Sequence, residues 1–179
     1  MQKNIISPPE TIIRIANPTD ANLLVELGRA SFYEAFAEQT APGDMEAYLL
    51  KAFDAGEIED QLTDDRTVYL IAEIVDSAAG YAFLYPQEPP ECVTSPNPIQ
   101  LVRFYLRKDY YGRNVGNSLM GACLDTICSR GYRSVWLSTW ELNHRANAFY
   151  KKWGFKIVGN AKFTVGSDVQ SDFIFARKI

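Results

Sequence analysis

The sequence predicts an α/β fold built on a mixed sheet, and three observations predict it. Segments that alternate like strands take turns with segments whose apolar residues recur at helical spacing. One central stretch, Gln100 to Phe155, reads strand, tight turn, helix, strand, helix. At 179 residues, 47% of them hydrophobic, the chain has the material for a single domain with a full core.

In chain order, Met1 to about Glu10 reads as a loose leader, because it carries Pro8-Pro9 and no periodic pattern. Thr11–Ala16 is a first strand, ended by Asn17-Pro18. Thr19-Asp20 is placed to cap a helix running to about Glu38, with Leu23, Leu24, Leu27, Ala30 and Ala35 among its apolar positions. Ala41-Pro-Gly-Asp44 breaks it, and Met45 to Phe53 suggests a second helix. The run Asp54 to Asp65 holds Asp54, Glu57, Glu59, Asp60, Asp64 and Asp65 without a Lys or Arg. It reads as a solvated loop, or as a rim that attracts a cationic amine. Arg66–Val75 and Gly80–Tyr85 form a hairpin around Asp76-Ser-Ala-Ala. Pro86, Pro89, Pro90, Pro96 and Pro98 stiffen the loop that precedes the central strand. Beyond the central stretch, Lys156–Val165 and Val169–Arg177 pair as a closing hairpin that turns at Gly166-Ser-Asp168.

The central stretch holds the chemistry. Ile99–Leu106 is rich in β-branched and aromatic residues, which suit a pleated, half-buried surface. Tyr110-Tyr-Gly-Arg-Asn-Val-Gly116 then turns the chain, with Gly112 and Asn114 of the types that tolerate positive φ. From Val115 the apolar positions Val115, Leu119, Cys123 and Ile127 recur at helical spacing, with Leu124 and Cys128 on the same side. Gly131 ends that helix, Ser134–Thr139 alternates like a strand, and a last helix covers Arg145 to Trp153. A strand feeding a glycine-bearing turn at a helix N-terminus is an anion site in outline, since free N–H groups and the helix dipole both favour phosphate.

Two motifs in this stretch resemble the acetyl-CoA-binding core of the GNAT superfamily of N-acetyltransferases. The family's R/Q-x-x-G-x-G/A turn appears as Tyr111-Gly-Arg-Asn-Val-Gly116, with Tyr111 for Arg/Gln and Asn114 for the first glycine. Its N-x-R-A-x-x-F-Y motif, followed by G-F, stands as Asn143-His-Arg-Ala-Asn-Ala-Phe-Tyr150 and Gly154-Phe155. The tail Phe163 to Phe175 is similar to the end segment of the bacterial spermidine/spermine-acetyltransferase-like branch. The resemblance implies a mostly antiparallel twisted sheet flanked by helices, with a splayed central strand pair forming the acetyl-CoA slot. It implies that the cosubstrate's pantetheine arm bonds the backbone of Phe104, Tyr105 and Leu106. The pyrophosphate is expected on the N–H groups of Tyr111, Gly112, Asn114, Val115, Gly116, Asn117 and Ser118, with Arg113 adding a charge-assisted bond. Asn143 is implied to bond the arm, and Tyr150 to protonate the departing thiolate.

A general base is harder to find. Gln100 and Val102 occupy strand positions where family members carry a glutamate, and glutamine cannot take a proton. Water, backbone carbonyls, Glu141 or an amine that arrives neutral remain open. His144, the sole histidine, falls at the variable x of its motif and reads as solvent-facing. Arg145 and Lys152 read as solvated surface residues, with a place near the cosubstrate's adenosine phosphate as the alternative.

Composition bounds the partners. A formal net charge of −4 lacks the basic footprint of a nucleic-acid binder, and no apolar run approaches a membrane span. Cys92, Cys123 and Cys128 give an odd count without a metal-ligand pair, which suits a reduced, cytoplasmic home and no metal. The expected partners are acetyl-CoA and a small-molecule amine acceptor, with a homodimer left open. Polyamines are favoured, because Asp168 and Asp172 add to the acidic run. A protein N-terminus, a lysine or an amino acid are rival acceptors. A coenzyme-A-binding sensing or interaction module with little activity is the alternative of a different class.

Overall fold

A computed structural model describes residues 10–165 and 168–179, so the leader over 1–10 and the turn at Gly166-Ser-Asp168 fall largely outside it. Seven strands form one sheet: β1 (Thr11–Ile15), β2 (Val68–Ile74), β3 (Ser77–Tyr85), β4 (Pro98–Leu106), β5 (Ser134–Trp140), β6 (Lys156–Val165) and β7 (Asp168–Lys178). Their order is β1-β2-β3-β4-β5-β7-β6. Every neighbouring pair is antiparallel except β4 with β5.

That one parallel pair defines the molecule. β4 and β5 meet only at Pro98↔Ser134, Ile99↔Val135 and Gln100↔Trp136. Beyond Gln100 each strand stays with its outer neighbour: β4 follows β3 to Leu106, and β5 follows β7 to Trp140. A bulge at Val102, between the pairs Phe83↔Arg103 and Leu84↔Leu101, falls where the two strands part. An extra residue bends the bulged strand and increases its twist, which turns β4 away from β5. The sheet therefore opens into a V between them, as the resemblance implies.

Among the described residues, five α-helices cover the two faces. On one lie α4 (Val115–Ser129) and α5 (His144–Lys152). Val115, Leu119, Met120, Cys123 and Ile127 of α4 pack on Leu70, Leu84, Ile99, Leu101, Leu137 and Phe175. On the other lie α1 (Ala21–Phe36), α2 (Pro42–Ala52) and α3 (Ala55–Thr63). Leu24, Leu27, Phe32, Met45, Phe53 and Ile58 pack there on Tyr69, Ile71, Tyr81 and Phe83. β2 is buried on both faces, which explains why Val68-Tyr-Leu-Ile-Ala72 reads as a continuous apolar run. Gly28 lets α1 approach closely, since a Cβ there would meet the Phe53 ring at 2.5 Å.

The structure corrects the expected boundaries. Asn17, rather than Thr19, opens the first helical segment: with Asp20 it forms a capping box on a 3-10 turn, Pro18–Asp20, that flows into α1. Asp20 is buried there and holds Arg14 by two hydrogen bonds of 2.8 Å. The acidic run is a helix, not a loop. Asp54 caps α3 by accepting from the Glu57 N–H, and Ile58 is buried beneath it. The spacing of Ala55, Ile58 and Leu62 is the helical signal that the acids obscured. The β2–β3 hairpin is tighter than expected, turning on Val75 and Asp76 at φ of 47° and 59°. Cys128 is exposed rather than on the core side of α4, and Met120 is buried instead. No helix among the described residues is long and apolar enough to cross a membrane.

Candidate active site

The V between β4 and β5 opens into a cleft of about 630 Å³, within the usual range of small-ligand sites. Phe104, Tyr105 and Leu106 line one wall and Ser138, Thr139 and Trp140 the other. Past Gln100 the facing edges of β4 and β5 make no ladder to each other. They leave backbone groups for an extended, amide-bearing ligand to pair with.

The anion end follows from the turn. Gly112 and Asn114 take φ of 75° and 66°, and Asn114 stands at the N-cap of α4. The Asn117 amide donates to Asn114 Oδ1 at 2.6 Å, and the Trp153 indole donates to Asn117 Oδ1 at 3.1 Å, which ties α5 to the start of α4. The backbone N–H groups of Tyr111, Arg113, Asn117 and Ser118 are already spent on carbonyls of Lys108, Tyr110 and Asn114. Those of Gly112, Asn114, Val115 and Gly116 have no acceptor among the described residues. Three consecutive free N–H groups at a helix N-terminus, Asn114 to Gly116, make the cradle. It is narrower than the run expected from sequence.

Of the expected residues, Phe104, Tyr105, Leu106, Tyr111, Gly112, Asn114, Val115, Gly116, Asn117, Asn143 and Tyr150 all line the cleft. Arg113 and Ser118 do not. The Arg113 guanidinium lies over the Tyr110 ring, and the Ser118 hydroxyl turns back to the Asn114 carbonyl. Asn143 spends its side-chain oxygen on capping α5, accepting from the Ala146 N–H at 3.1 Å. Its amide hydrogens are the part left for a ligand.

Tyr150 is buried by a ring cluster. Phe104, Phe149, Phe155 and Phe175 lie 6.4, 5.7, 5.7 and 5.9 Å from its ring centre. That burial pushes the phenol well above its ordinary value, so it keeps its proton at any physiological pH.

Three further residues, which the sequence offered with an ordinary surface role beside a functional one, line the cleft. Arg145 and Lys152 line the cleft, and the Arg145 guanidinium stacks 3.5 Å from the centre of the Tyr111 ring. Their place in the helix motif was the available signal. Asp172 is the third, a buried carboxyl at the opposite end of the cleft. There Trp140, Phe36, Phe32, Tyr48 and Phe163 form a chain of rings, each 4.4 to 6.5 Å from the next. Arg103 closes that end. It donates to the Ala52 carbonyl and to the Tyr69 hydroxyl, and lies over the Phe53 and Phe83 rings. Desolvation pushes the Tyr69 phenol up to about 12. None of the acids from Asp54 to Asp65 lines the cleft.

A split parallel strand pair, with an N–H cradle at one end and a ring-walled pocket at the other, makes a site able to hold a phosphate-bearing ligand by backbone. The profile of the acetyltransferase (GNAT) family matches residues 29–155, and the chain belongs to that family: it is an acetyl-CoA-dependent N-acetyltransferase. It is 29% identical over 161 residues to an uncharacterised N-acetyltransferase of Mycobacterium tuberculosis, covering 90% of this chain and 99% of that one. It is 23% identical over 171 residues to another from Lactobacillus delbrueckii subsp. lactis, covering 94% and 99%. In fold it is similar to the PaiA N-acetyltransferase of Thermoplasma acidophilum in complex with coenzyme A, with a TM-score of 0.77 and 21% identity over 95% of this chain and 99% of that one.

Proposed function

We propose that the chain acetylates a primary amine of a small molecule by direct attack, and that the acceptor arrives as a cation, with polyamines the first class to assay. The observation that carries this reading is one continuous cleft, running from the N–H cradle past Tyr150 to a ring-walled end that holds Asp172. Direct attack asks for both substrates at once, and such a cleft can take them end to end.

In this reading the pyrophosphate lies on Gly112 and Asn114–Gly116, where the N–H groups are free. The backbone of Phe104–Leu106 and the Asn143 amide hold the amide-bearing arm. Tyr150 gives its proton to the thiolate as the carbon–sulfur bond breaks. The Arg145–Tyr111 pair offers a flat cationic face to the nucleotide end. The resemblance of the tail to the end segment of the spermidine/spermine-acetyltransferase-like branch supports a polyamine. The acidic run does not add to that support, since α3 stands away from the cleft. The Asp168 side chain lies outside the described residues.

Calorimetry with acetyl-CoA, followed by thiol release across spermidine, spermine, 2-phenylethylamine, lysine and a peptide N-terminus, tests the reading. Turnover is expected with ammonium-bearing chains first. Binding without release on any of them would instead favour a coenzyme-A-binding sensor, the reading that Gln100 suggests by standing where a strand carboxylate is common.

A further inference from the structure

We infer that Asp172 is the group that receives the acceptor's ammonium and takes its proton, standing in for the carboxylate that β4 lacks. The inference rests on the N-acetyltransferase reading above and deepens it.

Strand geometry aims the residue. Phe173 and Phe175 of β7 pack on the α4–α5 face, where Phe175 meets Tyr150. Successive side chains on a strand alternate faces, so Asp172 and Ile174 point the other way, toward α1 and α2. Ile174 accordingly packs with Trp136 and Ala176 on that side. Tyr150 and Asp172 therefore enter the split from opposite faces of the sheet, which leaves one free to serve the leaving sulfur and the other the incoming nitrogen.

The carboxyl has the surroundings of an ammonium site. Asp172 is 5% exposed, and its Oδ1 has no hydrogen-bond partner among the described residues. Arg103 lines the same cleft but is committed to Ala52 and Tyr69, and forms no ion pair with Asp172. A buried carboxylate without a cation is costly, and a bound ammonium removes that cost. The rings of Phe32, Phe36, Tyr48, Trp140 and Phe163 present faces that attract a cation and an apolar chain together.

The charged and titratable groups around the carboxyl set its basicity. Burial raises it above the ordinary carboxylate range, Glu141 beyond the end of β5 raises it further, and a hydrogen bond from Ser138 on β5 lowers it. Tyr48 on α2 feels the charge of this carboxyl, Arg103 of β4 lines the same cleft, and Gln170 precedes Asp172 on β7. A base raised in this way is better matched to an ammonium that has itself lost its water.

The step balances. The ammonium gives one proton to Asp172, and the freed lone pair forms the carbon–nitrogen bond to the thioester carbonyl. The carbon–sulfur bond breaks, and the thiolate takes the Tyr150 proton. The second nitrogen proton restores Tyr150, and Asp172 releases its proton to water. The products are the amide, coenzyme A and one proton.

The test compares wild type with Asp172→Asn on spermidine and 2-phenylethylamine, alongside acetyl-CoA calorimetry. The substitution should leave acetyl-CoA affinity within about twofold and lower kcat/KM for the amine by 10²-fold or more, the usual loss of a general base. Wild-type kcat/KM should rise with pH through a carboxylate inflection that the Asn variant lacks. Asp172→Glu should recover part of the rate. If Asp172→Asn loses acetyl-CoA binding with its fold, Ser138→Ala decides instead: removing that hydrogen bond should move the inflection to higher pH. An Asn variant with the wild-type rate and pH profile, or a Ser138→Ala profile that does not move, overturns the inference alone. Absence of turnover by wild type on either amine overturns it together with the acceptor reading.

Discussion

Tyr150 shows how much a single residue can disclose before its surroundings are known. The eight-residue motif ending at Tyr150 fixes the helix and its phase, and the structure puts the phenol among four phenylalanines at the waist of the cleft. Local sequence carried that position because helix, cap and ring all lie within one short segment. Asp172 was marked in the sequence only as a candidate contact for a polyamine, with no motif to fix its burial. An aspartate inside a strand looks like a surface residue until its neighbours on β5, and the rings of α1 and α2, are brought together. Pairings over that sequence distance leave no local mark. Tyr150→Phe tests the disclosed half of the pair. Removing only the hydroxyl keeps the ring packing, so stability and acetyl-CoA affinity should hold while kcat falls about 10²-fold. Single-turnover thiol release at saturating amine measures it, and an unchanged rate would reduce Tyr150 to packing.

At the scale of an element, the Tyr111–Gly116 turn makes the sharper argument. Its departure from the glycine pattern was legible as tolerable, because asparagine is the non-glycine type that visits the left-handed region. The structure adds why asparagine serves: at φ of 66° its side-chain oxygen accepts from Asn117, which is itself fastened to Trp153. Asn114→Gly keeps the conformation and loses only that brace, so acetyl-CoA affinity should change less than fivefold. Asn114→Val forces a branched side chain into the left-handed region at about 1–2 kcal/mol. The loop should then relax, scattering the free N–H groups, with acetyl-CoA binding weakened at least tenfold in calorimetry. Equal affinity in the two variants would mean that the cradle does not depend on this backbone geometry. The acidic run is the counterexample, an element whose charge hid its period: only Ile58 is buried, and one apolar residue per turn is a faint signal among so many acids.

For the whole molecule, strand number, order of elements and class of sheet were readable from the residues, while the opening of the sheet was expected only through the family resemblance. Nothing local distinguishes a parallel pair of three rungs from one of six. The consequence is a molecule in two halves, β1 to β4 with its helices and β5 to β7 with α5, joined across the sheet where Pro98–Gln100 meets Ser134–Trp136. A ligand that pairs with both free edges supplies the missing rungs, so acetyl-CoA should stabilise the fold as well as occupy it. At a concentration 100 times its dissociation constant, binding to the native state alone contributes about 2.7 kcal/mol. For a chain of this length, 1 kcal/mol moves Tm by roughly 2–4 °C, which gives an expected rise of about 5–10 °C. The structural signature should be local. Amide exchange should slow along the cleft edges, at Phe104–Leu106, Asn114–Gly116 and Ser138–Trp140, and stay unchanged on β1 and at the outer edge of β6. Protection spread evenly over all seven strands would mean that the ligand acts only through global stability, and that the split edges are not where it binds.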